Sequence, residues 1–203
     1  MLLALLQVAT AAPNMSLHVQ LDSQALKHDD FGLFPTDNSR ITSPGLRLGV
    51  ELNPRLGIQA DWHHARTGGM VWSSEEDDYN VDTSAKLVYA SDQFDLGVRV
   101  EPFTWEVIQP YATVQGSFAM GRWHMDADQN DDSELTELHR RAPAFGGLAV
   151  GGAELVVGKP EWALRPSAFL EMGYALRTPH SFDQVGELRS GGYLVRAGTG
   201  LRF

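Results

Sequence analysis

The feature that most constrains this chain is an alternation of apolar and polar residues with period two, which recurs in eight segments. In the first segment the odd positions from Leu17 to Leu21 are apolar and the even positions are polar, and the last segment keeps its alternation up to Phe203. Such a pattern predicts strands that present one apolar and one polar face. The predicted strands cover residues 17–22, 46–52, 56–63, 94–101, 111–120, 149–157, 167–177 and 192–203.

Two of these segments break the alternation. The fourth loses its phase at residues 90–92, which predicts either a bulge or a strand that begins only at Phe94. The sixth carries Leu148 and Val150 on the phase that is otherwise polar. Because the rest of both segments alternates, neither break removes a predicted strand.

The connections between the predicted strands alternate strictly between short and long. The short turns, rich in proline and charge, are residues 53–55, 102–106 and 159–161. The long connections, which are mostly acidic, are residues 27–43, 67–82, 124–143 and 178–190. This order predicts a meander with all short turns at one end and all long loops at the other, as in transmembrane barrels. The predicted fold class is therefore all-β, an eight-stranded antiparallel up-and-down transmembrane β-barrel.

Composition excludes several other classes of protein. The 203 residues carry a net charge of −10, which argues against nucleic-acid binding because phosphate recognition needs clustered lysine and arginine. The chain has no cysteine, so disulfides and thiolate metal sites are excluded. No run of 18 apolar residues exists that could form a transmembrane helix. The strands of a transmembrane barrel need no such run, because apolar and polar residues alternate along them.

Alternation alone does not distinguish a membrane barrel from a soluble lipocalin-like barrel, since only the direction of the apolar face differs. Aromatic residues favour the membrane orientation because they gather at both predicted strand ends, as interfacial girdles do. They are Phe103, Trp105, Trp162 and Phe203 at the short-turn end, and Trp62, Trp72, Trp123 and Tyr193 toward the long loops.

In the membrane orientation the polar phase lines a narrow interior, where charges persist only when they are paired. Both signs occur on that phase, so pairing is possible. The predicted lumen charge network consists of Arg47, Glu51, Asp61, Asp95, Arg99, Glu101, Glu154, Glu171, Arg196 and Arg202.

The last strand carries a further pattern. Arg196 is followed by Gly198 two places on, and the apolar residues Leu201 and Phe203 occupy the antepenultimate and final positions. These residues resemble the C-terminal assembly signal of bacterial outer-membrane barrels. With the eight strands, they make nearly the whole mature chain similar to small barrels of the outer membrane protein A and X type. The resemblance implies an outer-membrane location, contact with lipid and lipopolysaccharide, insertion by the barrel assembly machinery, and a monomeric state.

The first 12 residues differ from the rest of the chain. The run from Leu2 to Val8 is apolar, and Ala9-Thr10-Ala11 has the small-x-small pattern of a cleavage site. We expect residues 1–12 to be a signal peptide that lacks a basic leading region, and residues 13–203 to form the barrel. A buried first strand is the alternative interpretation of residues 1–12.

The third long loop contains a candidate cation site. Counted from Asp126, oxygen-bearing side chains occupy positions 1, 3, 5, 7, 9 and 12, which is the ligand spacing of an EF-hand calcium loop. They are Asp126, Asp128, Asn130, Asp132, Glu134 and Glu137. Asp131 stands where that loop has glycine, so the alternative is a solvated acidic loop without Ca²⁺. We expect no other cofactor.

Catalytic motifs are weak in this sequence. His63 and His64 are adjacent, so a strand sends them to opposite faces and they cannot bind one metal together. Some small barrels modify lipid A with serine, histidine and acidic residues. Here His63, His124, His139 and His180 lie toward the predicted outer end, but no motif joins them. No catalytic residue is therefore assigned.

The sequence leaves four functional hypotheses. The first is a non-enzymatic outer-membrane barrel with a structural, adhesive or envelope-protective role, in which the loops carry any recognition. The second is a narrow channel for ions or small polar solutes, although eight strands leave an interior just wide enough for side chains. The third is a lipid A-modifying enzyme, and the fourth is a soluble barrel that binds an apolar ligand.

Overall fold

The computed structural model describes residues 14–28, 40–73, 83–103, 105, 107–127, 138–159, 161–183 and 186–203. In these ranges the chain forms nine antiparallel strands and no helix. The strands are β1 (Met15–His28), β2 (Arg40–Asn53), β3 (Leu56–Ser73), β4 (Thr83–Val100), β5 (Ile108–Ala127), β6 (Leu138–Val156), β7 (Arg165–Arg177), β8 (His180–Phe182) and β9 (Gly186–Arg202). The predicted signal peptide, residues 1–12, lies outside the described residues.

The strands close into one barrel. Each strand from β1 to β6 pairs with the next, β7 pairs with β9, and β9 returns to pair with β1. The three-residue β8 continues the line of β7 after Thr178 and Pro179, since β9 pairs first with β8 (His180 opposite Leu188) and then with β7 (Ala175 opposite Gly192). The predicted eight-stranded antiparallel barrel is confirmed, with β7 and β8 as two parts of one barrel strand.

The strands are longer than the alternation predicted, mainly at the end with the long connections. β3 extends to Ser73 and β4 begins at Thr83, although residues 67–82 were predicted as a loop. β5 likewise continues to Ala127 and β6 begins at Leu138. The alternation failed there because a strand that extends beyond the lipid no longer needs an apolar outer face, while its backbone ladder continues.

The predicted bulge or late start at residues 90–92 is wrong. β4 keeps one register against β3 and against β5 over its whole length. Tyr89, Ser91 and Gln93 all face the interior and are buried. The phase only seemed to change because the inner face of β4 switches from polar to apolar side chains toward the long connections.

The outer face of the barrel is apolar. Leu170, Met172 and Leu176 on β7 are 55%, 63% and 70% exposed, whereas Glu171 between them is fully buried. The same inversion holds on β1, where Leu17, Val19 and Leu21 are exposed. A soluble barrel would turn these apolar side chains inward, so the lipocalin-like alternative is wrong.

The aromatic residues follow the predicted girdles with one exception. Phe103, Trp105, Trp162 and Phe203 are exposed at the short-turn end, and Trp62 and Tyr193 are exposed toward the long connections. Trp123 was predicted to join them, but it points into the barrel and is 3% exposed. The Trp72 side chain lies outside the described residues.

Candidate functional site

The middle of the lumen is crossed by Arg47. Its Nε donates a 2.7 Å hydrogen bond to Asp61 Oδ1, and its Nη2 donates a 2.6 Å hydrogen bond to Glu171 Oε1. Tyr111 Oη donates to the other Glu171 oxygen at 2.7 Å, and the guanidinium lies 4.0 Å from the ring centre of Phe169. Since β2, β3 and β7 supply the charged groups, this cluster links separate parts of the wall.

Arg196 is the second hub and is fully buried. Its Nη2 lies 2.7 Å from Asp95 Oδ2, its Nε 3.1 Å from Asp22 Oδ2, and its Nη1 3.3 Å from Asp61 Oδ2. The Gln115 side-chain oxygen accepts a further bond from Nη1 at 3.3 Å. One guanidinium on β9 is thus tied to carboxylates on β1, β3 and β4, across the width of the barrel.

A second cluster fills the short-turn end. Arg99 Nη2 lies 2.7 Å from Glu154 and 2.9 Å from Glu101. Arg202 lies 3.0 Å from Glu51, 3.2 Å from Glu154 and 3.3 Å from Glu101. Between them remains a cavity of about 20 Å³, enough for roughly one water molecule. With the two hubs above, all ten residues of the predicted lumen network face the interior, and each of its arginines reaches a carboxylate of that set.

Several residues of the network were missed by the sequence argument. Asp22 was placed on the polar phase but not in the network, and it pairs with Arg196. Phe169 carried no signal at all, because an aromatic residue on the polar phase of its segment looks like an irregularity. Buried amides complete the network, and their only sequence signal was the period-two position: Gln20, Gln59, Gln93 and Gln115.

His18 lies near both a serine and a carboxylate. Its Nε2 is 2.8 Å from Ser167 Oγ and 3.2 Å from Glu154 Oε1. A catalytic triad needs the serine and the acid on opposite ring nitrogens, so that one nitrogen moves the proton while the other is oriented. Because both contacts use the same nitrogen here, His18 does not have the geometry of a Ser-His-acid triad.

His63 belongs to a cluster with the donor types of a metal site. One ligand atom each from Asp61, His63 and Asp95 lies within 4.8 Å of the others. The guanidinium of Arg196 already contacts both carboxylates, so a cation with its own hydrogen bonds neutralises this cluster. His64 faces the opposite side of β3, where its Nδ1 lies 2.8 Å from Asp92 Oδ1.

Above the charged network, the interior becomes apolar. A buried cluster of inward-facing side chains occupies the end with the long connections: Ile41, Ala65, Tyr89, Trp123, Ala142, Phe182 and Leu188. His180 packs against Tyr89 and Phe182, and burial lowers the pKa of its imidazole. A smaller buried group on β6, β7 and β9 contains Leu148 and Val150, which accounts for their position on the polar phase. The interior is therefore charged below and apolar above.

The outer wall of β3 to β6 carries rows of residues that are directly paired across neighbouring strands. An aromatic row of directly paired residues contains Trp62, Phe94, Phe118 and Phe145. Four residues further along each strand, a second row contains Arg66, Ala90, Arg122 and Arg141. We call the three arginines of this row the arginine row. They are exposed, and Arg122 forms an ion pair with Asp92 between the two rows.

The predicted calcium ligands are largely outside the part of the chain that the structure describes. Asp126 lies in β5, paired with Lys86 of β4, so its backbone is a strand and not the start of a loop. Its side chain and the residues Asp128, Asn130, Asp132, Glu134 and Glu137 are not among the described ones.

Comparison with known proteins supports the barrel fold. No protein-family model and no curated protein sequence matches this chain. Among solved structures, Ail, the attachment invasion locus protein of Yersinia pestis, is 15% identical with a TM-score of 0.50, covering 94% of this chain and 99% of Ail. Neisserial surface protein A is 14% identical with a TM-score of 0.45, covering 93% and 97% of the two chains. The predicted resemblance to small outer-membrane barrels is confirmed as a likeness of fold.

Proposed function

We propose that this chain is an integral protein of a bacterial outer membrane, closed to solutes, with a structural, adhesive or envelope-protective role carried by the surface beyond the lipid. The observation that carries the proposal is the orientation of the two strand faces. The outer face forms an apolar belt, and the inner face encloses a buried ion-pair network. We further infer that it is inserted as a monomer by the barrel assembly machinery, with the residues Arg196, Gly198, Leu201 and Phe203 as its assembly signal.

The exposed apolar belt supports the membrane location. Each large apolar side chain left in water forgoes roughly 1.5–3 kcal/mol of burial free energy, and the belt surrounds the barrel. A closed barrel also satisfies the backbone hydrogen bonds of every strand internally, which is the condition for crossing a hydrocarbon layer with strands. An apolar outer belt on a closed barrel is stable in lipid, whereas in water the belt would stay exposed.

The filled lumen supports a closed barrel and argues against the channel alternative. Arg47 and Arg196 bridge the lumen, and the apolar cluster around Trp123 packs above them. A solute would have to separate buried ion pairs, at about 3–5 kcal/mol for each pair broken without replacement. Planar-bilayer recording tests this point: we expect no reproducible conductance steps from the refolded protein, and regular steps of one size would contradict a closed lumen.

A non-enzymatic role is supported by the chemistry of the interior. The carboxylates that could act as acids or bases are tied to arginines, and His18 contacts Ser167 and Glu154 through one nitrogen only. We therefore propose neither a catalytic residue nor a cofactor for the lumen. Mass spectrometry of lipid A from cells with and without the protein tests this proposal, because a change of acyl chains or phosphates would contradict it.

The arginine row supports lipopolysaccharide as the lipid partner. It lies four residues above the aromatic row, which is about 13 Å along a strand and roughly 10 Å along a barrel axis at the usual strand tilt. That places cationic groups at headgroup height in a chain whose net charge is −10. Guanidinium groups bind phosphate oxygens in a bidentate manner, and the phosphates of lipid A lie at this height.

The membrane proposal and the lipid proposal have separate tests. For the first, the folded protein should change its mobility on a detergent gel after heating, and fractionation should place it with the outer membrane. For the second, the variant R66Q/R122Q/R141Q should lose the thermal stabilisation that lipid A gives the wild type over phosphatidylcholine. R189Q, which changes an exposed arginine on β9 across the barrel from the arginine row, is the matched control. Equal stabilisation of the triple variant would reject the arginine row as the lipid contact and leave the location untouched.

A further inference from the structure

Two histidines face each other on the outer wall, one row above the arginine row. His124 on β5 and His139 on β6 are directly paired in the strand register. Their rings lie 4.1 Å apart between centroids at an interplanar angle of 33°. The two Nδ1 atoms are 2.7 Å apart and share a hydrogen bond, so the same nitrogen of each ring faces the other ring and a metal ion would take the place of the shared proton.

We propose that His124 and His139 together bind one divalent transition-metal ion, with Cu²⁺ preferred. Imidazole nitrogens coordinate such ions at about 2.0–2.1 Å. Two cis nitrogens in a square plane would then lie about 2.9 Å apart, and two nitrogens of a tetrahedral site about 3.4 Å apart. The observed 2.7 Å is nearer to the square-planar separation, which Cu²⁺ favours over Zn²⁺.

The ligand type also selects among metal ions. The pair offers two imidazole nitrogens and no oxygen ligand, and Arg122 and Arg141 lie two residues away along the same outer face. Ca²⁺ and Mg²⁺, which prefer oxygen ligands, are therefore disfavoured at this pair. An ion that forms strong bonds to imidazole tolerates the neighbouring guanidinium groups, and Cu²⁺ leads the order of affinities for nitrogen ligands.

The scaffold favours two-point binding. The backbone ladder of β5 and β6 holds both Cα atoms in register, so binding the second histidine is an intramolecular step. The pair lies six residues beyond Phe118 of the aromatic row, about 20 Å along the strand, and so faces the aqueous side of the headgroups. The two histidines fill only two coordination positions of the ion, so a small chelator such as iminodiacetate can fill others.

The test uses the full chain refolded in detergent micelles, titrated with Cu²⁺ and with Cu²⁺ bound to iminodiacetate. Electron paramagnetic resonance reports how many imidazole nitrogens bind each copper ion. We expect one site with two nitrogens in the wild type. H124A and H139A should each weaken binding about 100-fold, because only one ligand remains, and should show a single nitrogen. H64A, which removes another histidine of the outer wall, should leave the site unchanged.

The controls keep the outcome independent of folding and of the proposed function. Heat-dependent gel mobility of each variant reports whether the barrel is folded. A two-nitrogen signal that survives in H124A, its loss in H64A, or tighter binding of Zn²⁺ than of Cu²⁺ would each overturn the proposal. None of these results bears on the membrane location or on the closed lumen, which have their own tests.

Discussion

Replacing Arg196 by Met is the sharpest test of the lumen network, because this guanidinium is fully buried and lies within ion-pair distance of four carboxylates. Methionine keeps an unbranched apolar stem and removes the charge, the donors and the tip of the side chain. The variant leaves Asp22, Asp61 and Asp95 buried with one cation fewer. Asp61 retains Arg47, whereas no other arginine is within ion-pair distance of Asp95 among the described residues.

The expected loss follows from the balance of attraction and desolvation. At an effective dielectric constant of 20, each unit-charge pair about 4 Å apart contributes roughly 4 kcal/mol of attraction. Much of that offsets the cost of taking the ions out of water, and removing one partner of a buried pair costs about 3–5 kcal/mol net. We therefore expect R196M to lower the free energy of unfolding by about 3–5 kcal/mol, at the lower end if water enters the vacated space.

Urea unfolding in lipid vesicles, followed by tryptophan fluorescence, measures the loss. R189M, which changes an exposed arginine outside the arginine row, should stay within about 0.5 kcal/mol of the wild type. Adding D95N to R196M should recover part of the loss, since it removes one of the carboxylates left without a partner. An R196M protein within 1 kcal/mol of the wild type, or no recovery by D95N, would refute the view that paired charges hold the lumen together.

Three further substitutions test other parts of the fold. Leu170→Arg should lower the free energy of unfolding in vesicles by about 2–4 kcal/mol, because Leu170 is exposed on the outer face near mid-strand. A fluorophore at the same position should be quenched by acyl-chain quenchers, and a label that they do not quench would contradict the outward orientation of Leu170. Trp123→Ala should cost about 3–5 kcal/mol, as expected for a buried core residue, whereas Trp105→Ala should have little effect on unfolding; equal losses would contradict the apolar cluster. Deleting Phe203, whose backbone exchanges hydrogen bonds with Met15, should reduce outer-membrane insertion measured by fractionation, and normal insertion would reject its role in assembly.

The sequence was sufficient where the outer face meets lipid. An outward residue such as Leu170 must be apolar because it faces lipid. Its neighbour Glu171 faces the interior and can be charged because Arg47 pairs with it there. The alternation with period two is therefore strict in the apolar belt. The facing of the lumen charges follows from the same period. Their individual partners did not follow, because the register and the distance across a barrel depend on how far each strand is shifted against the next.

The sequence was insufficient where the inner and outer faces of a strand exchange their polarity. Beyond the belt the outer face carries Arg66 and Arg122 while the inner face carries Tyr89 and Trp123, so the polarity of the two faces is exchanged. A search for one apolar phase therefore ended the strands too early and placed Trp123 in the outer girdle. The exchange itself is a signal that a period-two search could use, because it marks the height at which a strand leaves the hydrocarbon.

The two layers of the interior assign different tasks to the two ends of the barrel. Buried ion pairs fix which strands lie opposite each other, since each arginine accepts only partners that its geometry can reach. The apolar cluster around Trp123 contributes area that depends little on direction, and it separates the ion pairs from the external water that would weaken them. With the interior committed to these contacts, binding is left to groups on the outer surface, and two sets of them lie on the outer wall above the aromatic row. Both the arginine row and the histidine pair lie there, and so recognition by this protein is expected outside the barrel and not within it.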